Sequence, residues 1–465
     1  AASFGWTPSR ATDLVELRPL VVLDDKPEFR TLAWQTNGTL RRILASQEIA
    51  VVDGAAAPPG ERTVAPEFTL TGSIETAGDN VGVTLYLDNA EDGQTLWSHR
   101  FERPTGDGAH LPEEIGAHTA CMMGCALRQR RQARVKPSAA AFKVYLQTCD
   151  PAFVWADAAL LAVAQRLVET APDDAYGHGL VAFANAVLSG GPDLTDAEVR
   201  AFRDHALNAA SRAEQLDAAG YLPHLAKALA APPVESWRER DVYFRRASAD
   251  YAALWDIHAQ YLRASGRLNE ASRMLELSLA QAPLSANLRT VEAVLEMQLG
   301  NHEGARRLFD EIVEVWPNNA VTGFYRFVNS AFYESAGDAL GLLARGKLDF
   351  TPGEANCWRA FIEARADGRG SAGVRETCVE RGPGYLPRML AALGDVDGAL
   401  EAIAAERFDW NGATVSLFYP EMKIVHRDPR FMSAIAGSGL VGYWAASGQW
   451  PDFCSDKVLP YSCKE

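Results

Sequence analysis

The chain has 465 residues, 48% hydrophobic and 23% charged, an ordinary globular composition on a length that exceeds one compact core. Its formal net charge of −15 excludes a general nucleic-acid surface, which needs clustered lysine and arginine. No run of about 18 uncharged apolar residues occurs, so no segment reads as a membrane span. Phe153 to Val168 comes closest, and its Asp157 and Arg166 make it a core helix. The chain begins at Ala1 without Met. The expectation is that a signal peptide, a membrane anchor or a cytoplasmic domain precedes it.

Residues 12–133 read as a small α/β domain. Leu20-Val-Val-Leu23 has the character of a short buried strand. A helix with Leu32, Leu40 and Leu44 on one face spans Phe29 to Gln47, and Ile49-Ala-Val-Val52 is a second strand. After a loop at Gly54 to Gly60, Phe68, Leu70 and Gly72 alternate with Thr69 and Thr71. Turns at Ala77-Gly-Asp-Asn80 and Asn89-Ala-Glu-Asp-Gly93 separate this run from Val81, Val83, Leu85 and Leu87 and from Leu96-Trp-Ser-His-Arg-Phe101. Three alternating runs joined by such turns make an antiparallel meander. A helix over Leu111 to Arg131 closes the order β-α-β-β-β-β-α. The basic run Arg128-Gln-Arg-Arg-Gln-Ala-Arg134 at its end is a solvated helix terminus favoured by the helix dipole.

Residues 138–405 read as helix after helix. Gly266 and Gly300 lie 34 apart, as do Ala259 and Ala293, Ala271 and Ala305, Leu275 and Phe309, and Pro283 and Pro317. The residue types fit the roles: small residues let two helices approach, glycine turns between them, and proline ends the second. A helix pair cannot bury its apolar face alone, so neighbours must stack. Gly394 with Ala399 marks another pair, with Asp395 and Asp397 capping its second helix. The stretch from Thr351 to Gly384 breaks the pattern and reads as an insertion held by Cys357 and Cys378. Residues 406–465, rich in aromatics, read as a cap over the last pair.

The seven cysteines point to an oxidising compartment. Cys454 and Cys463 flank a short loop, and Cys357 and Cys378 bracket another segment. Cys121 and Cys125, at i and i+4 on a helix, would hold their Cβ atoms about 5–6 Å apart, beyond the roughly 3.5–4.5 Å a disulfide takes. One of the two is expected to pair with Cys149, leaving the other free.

Trp255, Ala259, Gly266, Ala271, Leu275 and Pro283, with Ser278, resemble the tetratricopeptide repeat pattern. Phe68-x-Leu-x-Gly-Ser-Ile74 and Gly93-x-x-Leu-Trp-Ser-x-Arg-Phe101 resemble the TolB-like amino-terminal domain. Asp428-Pro-Arg-Phe431 and Trp450-Pro-Asp-Phe-Cys454 are similar to the tail closing many chains of that arrangement. The combination resembles the C-terminal, periplasmic part of CadC-type membrane-tethered winged-helix regulators. The resemblance implies a mainly α fold with a small α/β domain. It also implies a non-catalytic sensory and protein-interaction region on the extracytoplasmic side of the inner membrane. The alternative is a free-standing periplasmic or cytoplasmic adaptor for peptides or proteins. Either role implies a protein or peptide partner or a second copy of the chain, and no cofactor.

No Gly-x-Ser-x-Gly, Walker, Rossmann or His-Glu-x-x-His signature occurs. Cys121-Met-Met-Gly-Cys125 lacks a second ligand pair at zinc-finger spacing. His178, His205, His224 and His258 sit singly on expected helices, and Tyr261, Trp316 and Tyr325 read as repeat core. The candidate binding surface is the groove lined by the first helices of the pairs: Asp256, Gln260 and Arg263, then Asn287, Thr290 and Met297.

Overall fold

The computed structural model describes the chain apart from residues 1–13, 55–64, 134–136, 151–157, 192–193, 219, 233, 251–254, 282, 284, 318, 346–347, 349, 379–383, 407, 409–412 and 464–465. The expected loop beyond Gly54 lies outside the described residues, as do Phe153 to Asp157 of the expected core helix. The fold is mainly α with a small N-terminal α/β domain. It divides into two compact units, one drawn from Ala1–Leu188 and Ser211–Ala218, the other from Ser189–Ala210 and Ala219–Glu465. Among the described residues no helix is long and apolar enough to cross a membrane.

In the first unit the strands are β1 (Leu14–Leu17), β2 (Val21–Val22), β3 (Ala50–Asp53), β4 (Phe68–Ala77), β5 (Asn80–Asn89) and β6 (Thr95–Pro104), with α1 (Pro27–Ser46) and α2 (Leu111–Gln132). The sheet order is β3-β1-β4-β5-β6, and β2 extends the edge of β4. β1 runs parallel to both β3 and β4, while β4, β5 and β6 form the antiparallel meander. Val81, Val83, Leu85 and Leu87 are fully buried, as the period of two requires.

The first strand departs from the sequence reading. The strand between β3 and β4 is Leu14-Val-Glu-Leu17, and Leu20–Leu23 contributes only the two residues of β2, with Val21 and Leu23 exposed. Glu16 interrupts the apolar run that would have marked β1. It is nonetheless buried, because Arg18 donates to it through Nε (3.1 Å) and Nη2 (3.0 Å).

Three more helices follow in this unit: α3 (Ala139–Cys149), α4 (Ala158–Thr170) and α5 (Ala175–Leu188). α3 packs on both α2 and β6. Ser138 caps its start by accepting from the Ala141 N–H. The Cys125–Cys149 disulfide, with Cα atoms 5.6 Å apart, fixes its C-terminal end to α2. Cys121 is the free thiol, and it is exposed.

After α6 (Asp196–Leu216), whose residues are shared between the two units, the second unit is a stack of helix pairs. These are α7 (Tyr221–Ala230) with α8 (Trp237–Asp250), α9 (Trp255–Ala264) with α10 (Leu268–Gln281), α11 (Ala286–Leu299) with α12 (His302–Val315), α13 (Ala320–Tyr333) with α14 (Ala336–Ala344), α15 (Pro352–Asp367) with α16 (Ala372–Thr377), and α17 (Leu386–Ala392) with α18 (Val396–Ala405). Ala259, Ala271, Ala293, Ala305 and Ala399 have no solvent exposure, as small residues at the closest helix approach should not. Gly266 and Gly300 end the first helices of their pairs at φ +78° and +91°.

Thr351–Gly384 is not an insertion: α15 and α16 continue the stack, α15 packing on both α13 and α14. Thr351 and Glu354 form a capping box at the start of α15. Cys357, Trp358, Phe361 and Ile362 fill its interface, and the Cys357–Cys378 disulfide ties α15 to the end of α16. Large side chains and a covalent link replace the small residues of the other pairs, which hides the register in the sequence.

The described residues of the last segment include four short helices, α19 (Ala413–Ser416), α20 (Lys423–His426), α21 (Phe431–Ala434) and α22 (Leu440–Ser447). α20 and α21 cover α18, as a cap on the last pair should, but the segment then returns across the stack to its opposite end. Trp237 Nε1 on α8 donates to the Ser438 carbonyl at 2.8 Å, and Trp444 Nε1 donates to the Ser265 carbonyl at 3.0 Å. The Asp452 N–H donates to the Gly266 carbonyl at 2.9 Å. The Cys454–Cys463 disulfide closes the segment.

Candidate functional site

Of the six expected groove residues, Arg263, Thr290 and Met297 are buried. Thr290 is buried between neighbouring first helices, its Oγ1 2.7 Å from that of Thr322 on α13, and Met297 is fully buried. Arg263 is buried and donates through Nε to the Gln298 side-chain oxygen, while Gln298 Nε2 donates to the Val415 carbonyl at 3.2 Å. The C-terminal segment therefore lies over the position from which Arg263 was expected to reach a partner. Gln260 is half-buried and Asn287 exposed. The side chains of Trp255 and Asp256 lie outside the described residues. Arg263, Thr290 and Met297 are packing residues of the stack and its own C-terminal segment, and they present no surface to another molecule.

His258, read as a lone helical histidine, is buried beside Ser248, with Nδ1 2.9 Å from the hydroxyl. Burial first, and then the nearby Arg245 and Arg267 charges, pull its pKa down to about 3. It is a neutral core residue. His178 Nε2 donates to the Pro172 carbonyl at 2.8 Å.

Among the described residues, one gathering of ligand-type side chains lies in the first unit and joins three elements. Trp97, His99 and Phe101 occupy alternate positions on β6, so all three project to the face covered by α2 and α3. His118 comes from α2, and its ring meets Phe101 edge-on at 5.1 Å and His99 at 4.3 Å between centroids. Asp150 follows Cys149 directly, so the disulfide to Cys125 holds its carboxylate over the same spot.

His118 Nε2 lies 2.8 Å from Asp150 Oδ1, and His99 Nδ1 lies 3.8 Å from Asp150 Oδ2. Trp97 Nε1 donates to Oδ2 at 2.7 Å, orienting the carboxylate. His118 is 8% exposed, yet its Nε2 makes no hydrogen bond. The His99 pKa is lowered by burial and then by the His118 charge, with Asp150 opposing.

Sequence reasoning missed this cluster because its members are 19 and 32 positions apart and share no local motif. One signal was available. His99 stands between Trp97 and Phe101 on the inward side of an alternating strand, where a histidine needs a partner.

No protein-family model matches the chain, and no curated protein matches it. Among solved structures, the chain is similar to a dodecamer of a PelC variant from Paraburkholderia phytofirmans. The identity is 18%, the match covers 23% of this chain and 84% of that one, and the TM-score is 0.18.

Proposed function

We propose that this chain is the extracytoplasmic sensory and protein-interaction region of a membrane-tethered bacterial regulator. In this reading it carries a TolB-like domain followed by tetratricopeptide-type pairs, and it lies on the periplasmic side of the inner membrane. The observation that carries the reading is the set of three disulfides, Cys125–Cys149, Cys357–Cys378 and Cys454–Cys463, which persist in oxidising compartments. Stacked helix pairs present extended helical faces of the kind that bind proteins. The signal acts by biasing one state of the region over another, and through it the output domain.

The test is an alkaline phosphatase fusion to the C-terminus of the complete gene product in its own host, with fractionation of the cells. Phosphatase activity in the membrane fraction is expected. Activity released by osmotic shock would move the assignment to a free-standing periplasmic adaptor. An inactive cytoplasmic fusion would overturn the extracytoplasmic reading altogether.

A further inference from the structure

We infer that His99, His118 and Asp150 form a binding site for one divalent first-row transition ion, of the Zn2+ class. Their candidate donor atoms all lie within 4.8 Å of one another. A Zn2+ ion held at about 2.0–2.1 Å places its ligand atoms roughly 3.4 Å apart in tetrahedral geometry. The set needs to close by little more than 1 Å, and His99, about a quarter exposed, has room to turn.

The bland alternative is a His118–Asp150 hydrogen bond, and the geometry disfavours it. At 2.8 Å the pair is close enough, yet Nε2 makes no hydrogen bond and stays buried. A buried imidazole nitrogen without a hydrogen bond, beside a carboxylate oxygen and a second imidazole nitrogen, is placed as a ligand atom is.

The surroundings supply what a metal site requires. The Trp97 indole N–H fixes the carboxylate from behind, as outer partners of metal ligands do. The apolar faces of Trp97 and Phe101 wall one side. Two imidazoles and one carboxylate, the set found at zinc sites that keep a position open, leave a fourth place for water or a partner's ligand. The partly exposed His99 edge gives the ion its way in.

The experiment titrates Zn2+ alone into the untagged, chelator-treated full chain by calorimetry, with Co2+ absorption as the spectroscopic signature. One ion per chain is expected, with visible Co2+ bands. Binding at this site should be abolished in His99→Gln and in Asp150→Asn, with circular dichroism unchanged. Trp97→Phe should weaken binding about tenfold. If Asp150→Asn does not fold, His99→Gln decides alone. Absence of Zn2+ binding by the native chain, or undiminished binding in folded His99→Gln, overturns the site.

Discussion

The guanidinium of Arg388 on α17 meets the carboxylate of Glu421 in the C-terminal segment at 3.0 Å, with Arg388 fully buried. The guanidinium lies 3.7 Å from the Phe332 ring centroid and 3.6 Å from that of Tyr419, and it also donates to the Tyr333 hydroxyl at 2.8 Å. Burial pushes the Glu421 carboxyl up, and the Arg388 charge overrides it, so its pKa lies below the usual glutamate value. The joint between stack and C-terminal segment is thus a desolvated charge pair held between aromatic faces.

Removing one partner leaves the other charge buried without compensation. Glu421→Ala is expected to destabilise the protein by about 3–5 kcal/mol. The double change Arg388→Met with Glu421→Leu should cost clearly less than Glu421→Ala alone. Arg427→Ala, at the exposed pair with Asp456 (3.1 Å), should barely move the unfolding midpoint. Urea unfolding followed by tryptophan fluorescence measures all three.

Mass spectrometry of unreduced peptides should return Cys125–Cys149, Cys357–Cys378 and Cys454–Cys463, with one alkylatable thiol at Cys121. The bridges span 24, 21 and 9 positions. On a chain-entropy account each stabilises by about 2.5–3.5 kcal/mol, so full reduction should lower the melting temperature sharply. Seven reactive thiols in protein isolated without reductant would contradict the oxidising compartment.

What the sequence revealed depends on how locally each contact is encoded. The meander and the 34-residue pairs were legible because alternation and small-residue spacing act between near neighbours. β1 was hidden because its Glu16 breaks the apolar run, and the exposed Arg18 that makes its burial acceptable shows only in the fold. The α15–α16 pair was hidden because Trp358, Phe361 and a disulfide do the work of small residues. The burial of Arg263 was hidden for a third reason. Which face of α9 is free depends on where Val415 and Tyr419 settle more than 150 positions later, and no periodicity carries that information. The histidine cluster has the same origin, being assembled by the sheet, α2 and a disulfide together.

Acid should loosen the C-terminal segment first. His426 is buried, stacks on Phe453 at 4.3 Å between centroids and donates through Nε2 to the Leu417 carbonyl at 2.8 Å. Burial pulls its pKa from the ordinary 6.5 down to about 4. The unfolded chain therefore takes up this proton before the folded one. The stability is intact above about pH 6.5 and falls as pH drops toward about 4, by roughly 3 kcal/mol in all. His258, with its pKa near 3, adds to the loss over the same window. Unfolding free energies across this range should show the slope, and His426→Gln should flatten its upper part. A wild-type slope matching that of His426→Gln would contradict the assignment.

Gly266 and Gly300 occupy equivalent places 34 residues apart, and both have positive φ, yet substitution should not cost the same. At Gly300 an added Cβ would meet only Pro420 Cγ, at an ordinary 3.8 Å. Gly300→Ala should therefore cost about 1–2 kcal/mol, the backbone term for a left-handed conformation. At Gly266 the Cβ would lie 2.6 Å from Pro451 Cβ and 2.7 Å from Phe418 Cε1, both on the C-terminal segment. Gly266→Ala carries the same backbone cost and must also displace that segment, whose Asp452 N–H bonds to the Gly266 carbonyl. It should destabilise more than Gly300→Ala and increase proteolysis at residues 451–456, while Gly300→Ala leaves cleavage there unchanged. Unfolding free energies and limited proteolysis of the two variants side by side measure how tightly the segment is seated on the stack. Equal costs and equal cleavage would mean that it is not seated at Gly266 in solution.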